Sequence, residues 1–473
     1  MTVASDSGSE RERQPPVSPV LLLLYNVMYL VGFLFYAPLF VWKLLVDRAY
    51  RGGIRERMGI VPPRAGNVVW VHGVSVGEVK AAAPIIDGLH VALPGIEIVV
   101  SATTPTGAKV ARDLYGAERV LYYPFDFWYF PARALDRVRP RCVLLMELEL
   151  WPNFLNAAER RGVAVAVVNG RISERSWRGY RRVSWLLPQL DRIDLFSVQN
   201  DVYAWRLKDL GVSTEKIHSV GNVKYDRLAT SVRDADGSSE FRRMLALDEH
   251  EPVIVAGSTH HDEEARLARV GCALEHRLGR SVRLVIVPRH PERCGSVVES
   301  VERALRDAGL SDRHSVIRLT EVRAKEAATV PARKPWLVID TIGELEQAYA
   351  IADAAFVGGS LVPHGGQNLL EPIAIGTPTL IGPHVWNFGA DVELFLAARG
   401  VIQVADEQHL ERELARLVED PGEAEQLVFR AQRVLRENRG ATERTLDRVL
   451  ALLRERCPDL FPLPGNNQRH RSA

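Results

Sequence analysis

Glycines beside a carboxylate, after an apolar run, point most directly to chemistry in this chain. Phe356-Val-Gly-Gly-Ser360-Leu-Val-Pro-His-Gly365-Gly366-Gln367-Asn368-Leu-Leu-Glu371-Pro372 reads as a strand, two Gly-Gly turns and a helix carrying an acid. Glycines let backbone N–H groups approach a phosphate, and a helix N-terminus favours anions. Glu371, one turn inside, could hold a diol such as a ribose, so the segment reads as half of a nucleotide-sugar site. A Gly-rich turn kept only for tight packing is the alternative. In the first half, His72-Gly-Val-Ser75-Val-Gly77-Glu78 ends another strand and opens a helix near Val79. Ser75 and Glu78 have the spacing of a capping box, which needs no chemistry. At a strand's carboxyl end Glu78 could also accept a proton from an attacking hydroxyl, and a positioned base contributes about 10²–10⁴ in rate.

Related patterns recur. Met146-Glu147-Leu-Glu149-Leu-Trp151-Pro-Asn153 closes a strand with two acids, which alternation puts on one side. A second carboxylate beside Glu78 would orient an acceptor or raise the base's pKa by like-charge repulsion; a surface salt bridge is the plainer reading. Val285-Ile-Val-Pro288-Arg289-His290-Pro-Glu-Arg293 ends a strand with arginines whose planar forks suit phosphate oxygens, although surface arginine is common in this chain. In Asp340-Thr341-Ile-Gly343-Glu344-Leu345, Gly343 would let the backbone approach a base or phosphate, or Thr341 simply caps a helix. Gly257-Ser258-Thr259-His260 makes a third small-residue turn, and packing alone explains such convergence poorly. There is no His-Glu-x-x-His, no Asp-x-Asp between apolar strands and no P-loop, so neither a metal nor a cofactor is expected. Arginines and helix ends would stabilise a departing nucleotide.

Alternating strand and helix patterns supply the frame for these residues. In the first half, strands read at 67–72, 96–101, 143–146, 163–168 and 195–199, with helices at 105–114, 152–161 and 201–210. The pattern restarts with strands at 253–256, 283–288, 336–339, 354–357 and 379–381, between helices at 262–277, 294–308, 342–351 and 368–375. This is the grammar of parallel sheets covered on both faces. The fold class is therefore α/β, two doubly wound Rossmann-like domains facing a cleft, where the carboxyl ends of both sheets would meet the ligands. The expected boundaries are a disordered tail over 1–17, an anchor helix over 18–45, a first domain over 60–227, and a polar linker over 228–251. A second domain over 252–405, amphipathic helices over 406–458 and a tail over 459–473 complete the chain.

With 473 residues and 47% hydrophobic content, the chain can fill two cores. A formal net charge of +1 excludes a globally basic nucleic-acid binder. Cys142, Cys272, Cys294 and Cys457 lie far apart without a Cys-x-x-Cys and read as reduced thiols. Residues 20–42 are almost continuously apolar, interrupted by Asn26, Gly32 and Pro38, and are long enough to cross a bilayer core. Arg11 and Arg13 precede them, while Lys43, Arg48, Arg51, Arg55 and Arg57 crowd the far side, which places everything after residue 43 in the cytoplasm. The alternative is an interfacial helix that never spans.

Taken in order, these motifs resemble the Kdo transferases, the 3-deoxy-D-manno-octulosonic acid transferases of lipopolysaccharide assembly. His72-x-x-Ser75-Val-Gly77-Glu78, Thr104-Pro-Thr-Gly107, Met146-Glu147-x-Glu149-Leu-Trp151-Pro-Asn153 and Val287-Pro-Arg289-His-Pro-Glu-Arg293 carry the resemblance. Asp340-Thr-x-Gly343-Glu344-Leu345, Ala352-Asp-x-Ala-Phe-Val-Gly-Gly-Ser360-Leu and Gly382-Pro-His384 complete it, so that it runs from the anchor to about residue 400. The resemblance implies a GT-B fold, the lipid A precursor (lipid IVA) as acceptor in the first domain and CMP-Kdo as donor in the second. It implies an inverting, metal-independent enzyme at the inner membrane. Glu78 would be the general base, Glu147 a second acid near the reaction centre, and Arg289, with His290, a partner for the CMP phosphate or the Kdo carboxylate. Ser75 and Gly77 would line the acceptor side, and Ser258 and Thr259 the donor side. Gly343 and Glu344 would border the nucleotide, while Gly366, Gln367, Asn368 and Glu371 would hold phosphate and ribose. The sequence departs at Gln367, where the family often has His, and at Asn169-Gly170-Arg171, where it often has Asn-Ala-Arg. Another GT-B nucleotide-sugar enzyme, or an inactive membrane-tethered scaffold, are the competing readings.

Overall fold

The computed structural model describes residues 19–46, 51, 53–182, 188–226, 241–242, 247–248, 251–324 and 334–461. The expected tail over 1–17, residues 462–473 of the tail expected over 459–473, most of the expected linker, Arg11, Arg13 and Arg48, and the side chain of Lys43 lie outside them, while the start of that last tail falls in a 3-10 turn, Pro458–Leu460. The chain forms two units, residues 1–226 with 440–473, and residues 227–439.

The first unit is built on a seven-stranded sheet in the order β3-β2-β1-β4-β5-β6-β7. Its strands are β1 (Val68–His72), β2 (Glu97–Ala102), β3 (Val120–Tyr122), β4 (Pro140–Met146), β5 (Ala164–Gly170), β6 (Leu195–Val198) and β7 (Ile217–Ser219). All neighbours run parallel. The near-continuous apolar runs of β1, β4 and β5 follow from burial on both faces. The last helix, Ala441–Arg456, packs Ala441, Val449, Leu452 and Leu453 into this core. Its return is fastened where the Asp226 carboxylate accepts from Gly440 N at 2.7 Å and Thr442 N at 2.6 Å.

The second unit repeats the plan in the order β10-β11-β9-β8-β12-β13-β14. Here the strands are β8 (Val253–Thr259), β9 (Arg283–Pro288), β10 (Val316–Arg318), β11 (Trp336–Val338), β12 (Ala354–Val357), β13 (Thr379–Ile381) and β14 (Ile402–Gln403). Again every pairing is parallel. Helices Glu407–Glu419 and Pro421–Glu437 add Leu410, Leu414 and Leu427 to this core.

In a doubly wound sheet the strand order reverses at one place, and ligands bind beyond the carboxyl ends there. The reversal falls between β1 and β4 in the first sheet and between β8 and β12 in the second. The chain leaves those four strands through the segments containing Glu78, Glu147, His260 and Gly359, with Ser258 at the end of β8.

An apolar helix, Pro19–Val46, precedes the first sheet, and its stretch Pro19–Trp42 is long and apolar enough to cross a membrane.

Candidate functional site

Beyond β1 the chain turns through Gly73, where a Cβ would press on Glu78 Cβ and Val79 N at 3.1 Å. It then enters the helix Val76–Ala81 with Ser75 as N-cap, its Oγ accepting from Glu78 N at 3.3 Å. The Glu78 carboxylate folds back over this cap. Oε1 accepts from Ser75 Oγ and Oε2 from Val74 N, both at 2.8 Å. Ser75 therefore caps the helix, and the carboxylate, taking the Val74 N–H instead of the Ser75 N–H of a standard capping box, is fixed at the mouth of the sheet. Glu78 is 9% exposed. Burial, then the charge of Glu147, raises its pKa, against the lowering by its hydrogen bonds and by Lys224. Gly77 sits in the same first helical turn, with only Ser75 Oγ at 3.8 Å near the place of a Cβ.

β4 ends at Met146, and Glu147 turns out of the strand with φ +58°. Strand alternation therefore does not explain why Glu147 and Glu149 approach Glu78; a left-handed residue at the strand end does. Glu147 pairs with Lys224 at 3.3 Å. Glu149 is pushed up to about 7 by burial and by the charge of Glu78. Lys224 had no visible sequence signal. Its turn is held by Asn169, which has φ +54° and accepts from Val223 N at 3.1 Å through its side chain. Arg171 and the rest of that segment thus follow a residue with a positioning task.

His72 is not a base. It is fully buried, with Nδ1 at 2.9 Å from Ser101 Oγ and its ring stacked on Tyr123 at 3.8 Å. Burial pushes its pKa down to about 3, so the ring is neutral.

In the second unit a cluster forms beyond β8 and β12. Ser258 takes φ +55°, and Thr259 points inward, its hydroxyl donating to Glu264 Oε1 at 3.1 Å. Arg289 N donates to Thr259 O at 3.0 Å, which places the Arg289–His290 segment beside the turn. His260 stacks on His364 with centroids 4.4 Å apart, has His290 at 6.2 Å, and meets Gln367 Nε2 at 3.0 Å through Nε2. Its pKa falls to about 4 through burial and then the neighbouring His364, His290, Arg293 and Arg289. That electropositive surrounding suits an anion.

The glycine loop is shaped by a residue without a local motif. Glu263 is fully buried, and its carboxylate accepts from Gly359 N (2.7 Å), Leu361 N (3.0 Å), His260 N (3.1 Å) and Ser360 N (3.2 Å). Gly366 has φ +78° and donates to Gly359 O at 2.8 Å, and Gln367 N reaches Gly358 O at 3.1 Å. At Gly358 a Cβ would stand 2.5 Å from Ser258 O, so only glycine fits between the two turns.

Two expectations change. The helix expected over 368–375 ends at Ile375 as expected but starts at Leu370, because Asn368 makes a local turn, its Oδ1 accepting from Leu370 N at 3.2 Å. Asn368 Nδ2 also donates to Glu371 Oε1 at 3.0 Å, so the two residues act as one unit. Likewise the helix expected from Ile342 begins at Leu345 with Glu344, not Thr341, as N-cap, since Gly343 takes φ +99°. Glu344 pairs with Arg323 at 2.7 Å. Gly343 and Glu344 follow β11, two strands away from β8.

Two such sheets in one chain, together with the similar solved folds, place this chain in the GT-B class. Its solved members with similar folds include a glycosyltransferase from Rickettsia africae (TM-score 0.54, 12% identity, 83% of this chain and 99% of that one). A UDP-GlcNAc 2-epimerase from Neisseria meningitidis bound to UDP-GlcNAc is similar too (TM-score 0.54, 13% identity, 82% of this chain and 100% of that one). Within that class, residues 52–227 match the family described as 3-deoxy-D-manno-octulosonic-acid transferase (kdotransferase). The 3-deoxy-D-manno-octulosonic acid transferase of Haemophilus influenzae is 32% identical over 84% of this chain and 91% of its own length. That of Bordetella pertussis is 32% identical over 86% and 91%. The chain belongs to the Kdo transferase family and is a glycosyltransferase.

Proposed function

We propose that this protein transfers Kdo from CMP-Kdo to a hydroxyl of the lipid A precursor, lipid IVA, with inversion and without a metal ion. The observation that carries the reading is the Glu78 carboxylate, buried at the strand reversal of the first sheet and given a raised pKa by burial and Glu147. A carboxylate so placed takes a proton more readily than one in water.

The step is a single displacement. The acceptor hydroxyl oxygen forms a bond to the donor's anomeric carbon while the bond from that carbon to the CMP phosphate oxygen breaks. The hydroxyl proton goes to Glu78, and the bonding electrons leave with CMP. Attack from the face opposite the leaving group inverts the anomeric centre. Glu147, held by Lys224 at 3.3 Å, stands beside the base and raises its pKa. Arg289 meets the phosphate or the Kdo carboxylate, and neutral His260 offers hydrogen bonds at the same turn, with His290 beside it. Ser258, Thr259, Gly366 and Gln367 border the phosphate through backbone and amide groups, the Asn368–Glu371 pair takes the ribose, and Gly343 with Glu344 lies toward the base. Ser75 and Gly77 line the acceptor side. The two units would have to bring these groups together around both substrates.

An acceptor with acyl chains stays in a bilayer, which gives the apolar helix Pro19–Val46 a purpose: attachment to the inner membrane with both units on the cytoplasmic side. The test is to incubate membranes containing the protein with CMP-Kdo and lipid IVA, with and without a chelator, and to weigh the lipid product. A mass gain of Kdo that survives chelation is expected. Stabilisation by UDP and not by CMP would favour a different nucleotide-sugar enzyme.

A further inference from the structure

The apolar helix Pro19–Val46 is joined to the first unit by a polar node. Asn26, within its apolar run, is only 8% exposed. Its Nδ2 donates to Asn153 Oδ1 at 3.2 Å, and its Oδ1 accepts from Asn153 Nδ2 at 3.1 Å and from Trp128 N at 2.8 Å. Asn153 Nδ2 also donates to Asp126 O at 2.7 Å, and the Asp126 carboxylate accepts from Asn153 N at 3.0 Å and Phe154 N at 2.7 Å. Asn153 lies in the first turn of the helix Pro152–Glu159, which follows the Glu147–Glu149 segment.

Further along, Tyr29 stacks on Phe127 at 5.8 Å and Phe40 meets Phe125 edge-on at 6.1 Å. Contacts therefore run from Asn26 to Phe40, about 21 Å of axis at 1.5 Å per residue. Asn26, Tyr29 and Phe40 follow the helical repeat, so one narrow stripe is covered. Leu23, Val27, Leu30, Leu34 and Trp42 remain exposed around it.

A helix standing across a bilayer core of about 30 Å would drag Asp126, Asn153 and the 125–128 backbone to membrane depth. A helix lying in the interface normally keeps a polar face toward water. Here the first unit takes the place of that water, and Asn26 is the polar contact on the covered stripe. Beside it, Trp128 and Tyr129 are 62% and 52% exposed, residue types that settle at headgroup level.

We propose that the apolar helix and the 127–130 turn form one surface that seats in a lipid bilayer interface, with Asn26 as the latch and the helix lying along the membrane instead of passing through it. The inference rests on the reading that this helix meets a membrane. It makes Asn26 a positioning residue, since through Asn153 it holds the Glu147–Glu149 segment at a set height above the lipid.

The test uses the full chain in sealed, inverted inner-membrane vesicles. All four native cysteines are buried, so an introduced thiol reports alone. Ser5→Cys and Glu118→Cys are each treated with a membrane-impermeant maleimide, and both should label without detergent. Labelling of Ser5→Cys only after detergent, with Glu118→Cys labelled freely, overturns the in-plane seat while leaving membrane attachment intact. Recovery of the protein in the soluble fraction overturns attachment itself. Asn26→Leu should stay with the membrane, lose about tenfold or more in rate on bilayer-embedded acceptor, and keep its rate on detergent-dispersed acceptor. Equal losses on both forms would reduce Asn26 to a packing residue and overturn the latch.

Discussion

Lys224 Nζ stands 3.3 Å from Glu147 Oε1, so a lysine from the turn after β7 faces the acid after β4. Both act on Glu78, whose pKa is raised first by burial and then by Glu147, and lowered by Lys224. A general base works when ionised, so with Glu78 as the proposed base the acid limb of the rate profile should follow its raised pKa. Glu147→Gln removes a like charge and should move that limb to lower pH. Lys224→Met removes an opposite charge and should move it higher. Profiles of kcat/KM against pH check both; shifts of the reverse sign would detach the pair from the base.

Glu149 yields a stability prediction. Its folded pKa of about 7, set by burial and Glu78, lies above the unfolded carboxylate value of roughly 4.3. Above the folded pKa both states are ionised and the burial penalty is present in full. As pH falls through the window down to the unfolded pKa, the folded state takes up a proton first and stability rises. Glu149→Gln removes this dependence. The variant's gain in Tm over the parent should be larger at pH 8 than at pH 5, and an equal gain at both would place the raised pKa elsewhere.

Glu263 gathers four backbone N–H groups from His260, Gly359, Ser360 and Leu361. Leaving buried donors unpaired costs about 1–3 kcal/mol each. Glu263→Ala should therefore destabilise the second unit by about 3 kcal/mol or more in chemical denaturation, and loosen the loop that the donor would meet. An unchanged midpoint would mean water replaces the carboxylate there.

Much of the fold was legible because interior strands are continuous apolar runs. The strands that escaped were β3, β7, β10 and β14, and these are the four sheet edges. Each has two or three residues, too short for an apolar run to stand out. At the candidate site, Ser75 and Glu78 could be read because the cap and the acid share one local motif. Lys224 and Glu263 could not, since their meaning comes from partners across the fold: Glu263 reaches residues 96 to 98 positions away. Asn26 was visible as a break in an apolar span, but its partner lies 127 residues on.

Arg289 binds Thr259 O through its backbone N–H, a bond that alanine keeps. Arg289→Ala should thus fold normally and weaken CMP-dependent thermal stabilisation, with affinity falling about tenfold to a hundredfold if one charged hydrogen bond of about 1.5–3 kcal/mol is lost. Unchanged CMP affinity would remove Arg289 from the phosphate.

The most direct measurement compares the parent chain with Glu78→Gln in a single-turnover assay with CMP-Kdo and lipid IVA, read by the mass of the lipid, alongside CMP-dependent stabilisation of the same samples. The amide oxygen of Gln can still accept from Val74 N or Ser75 Oγ, so the cap survives. Transfer should fall by about 10²–10⁴ with CMP stabilisation unchanged. Full transfer by the variant, or loss of its CMP binding, would contradict the assignment of Glu78 as the base that serves the acceptor.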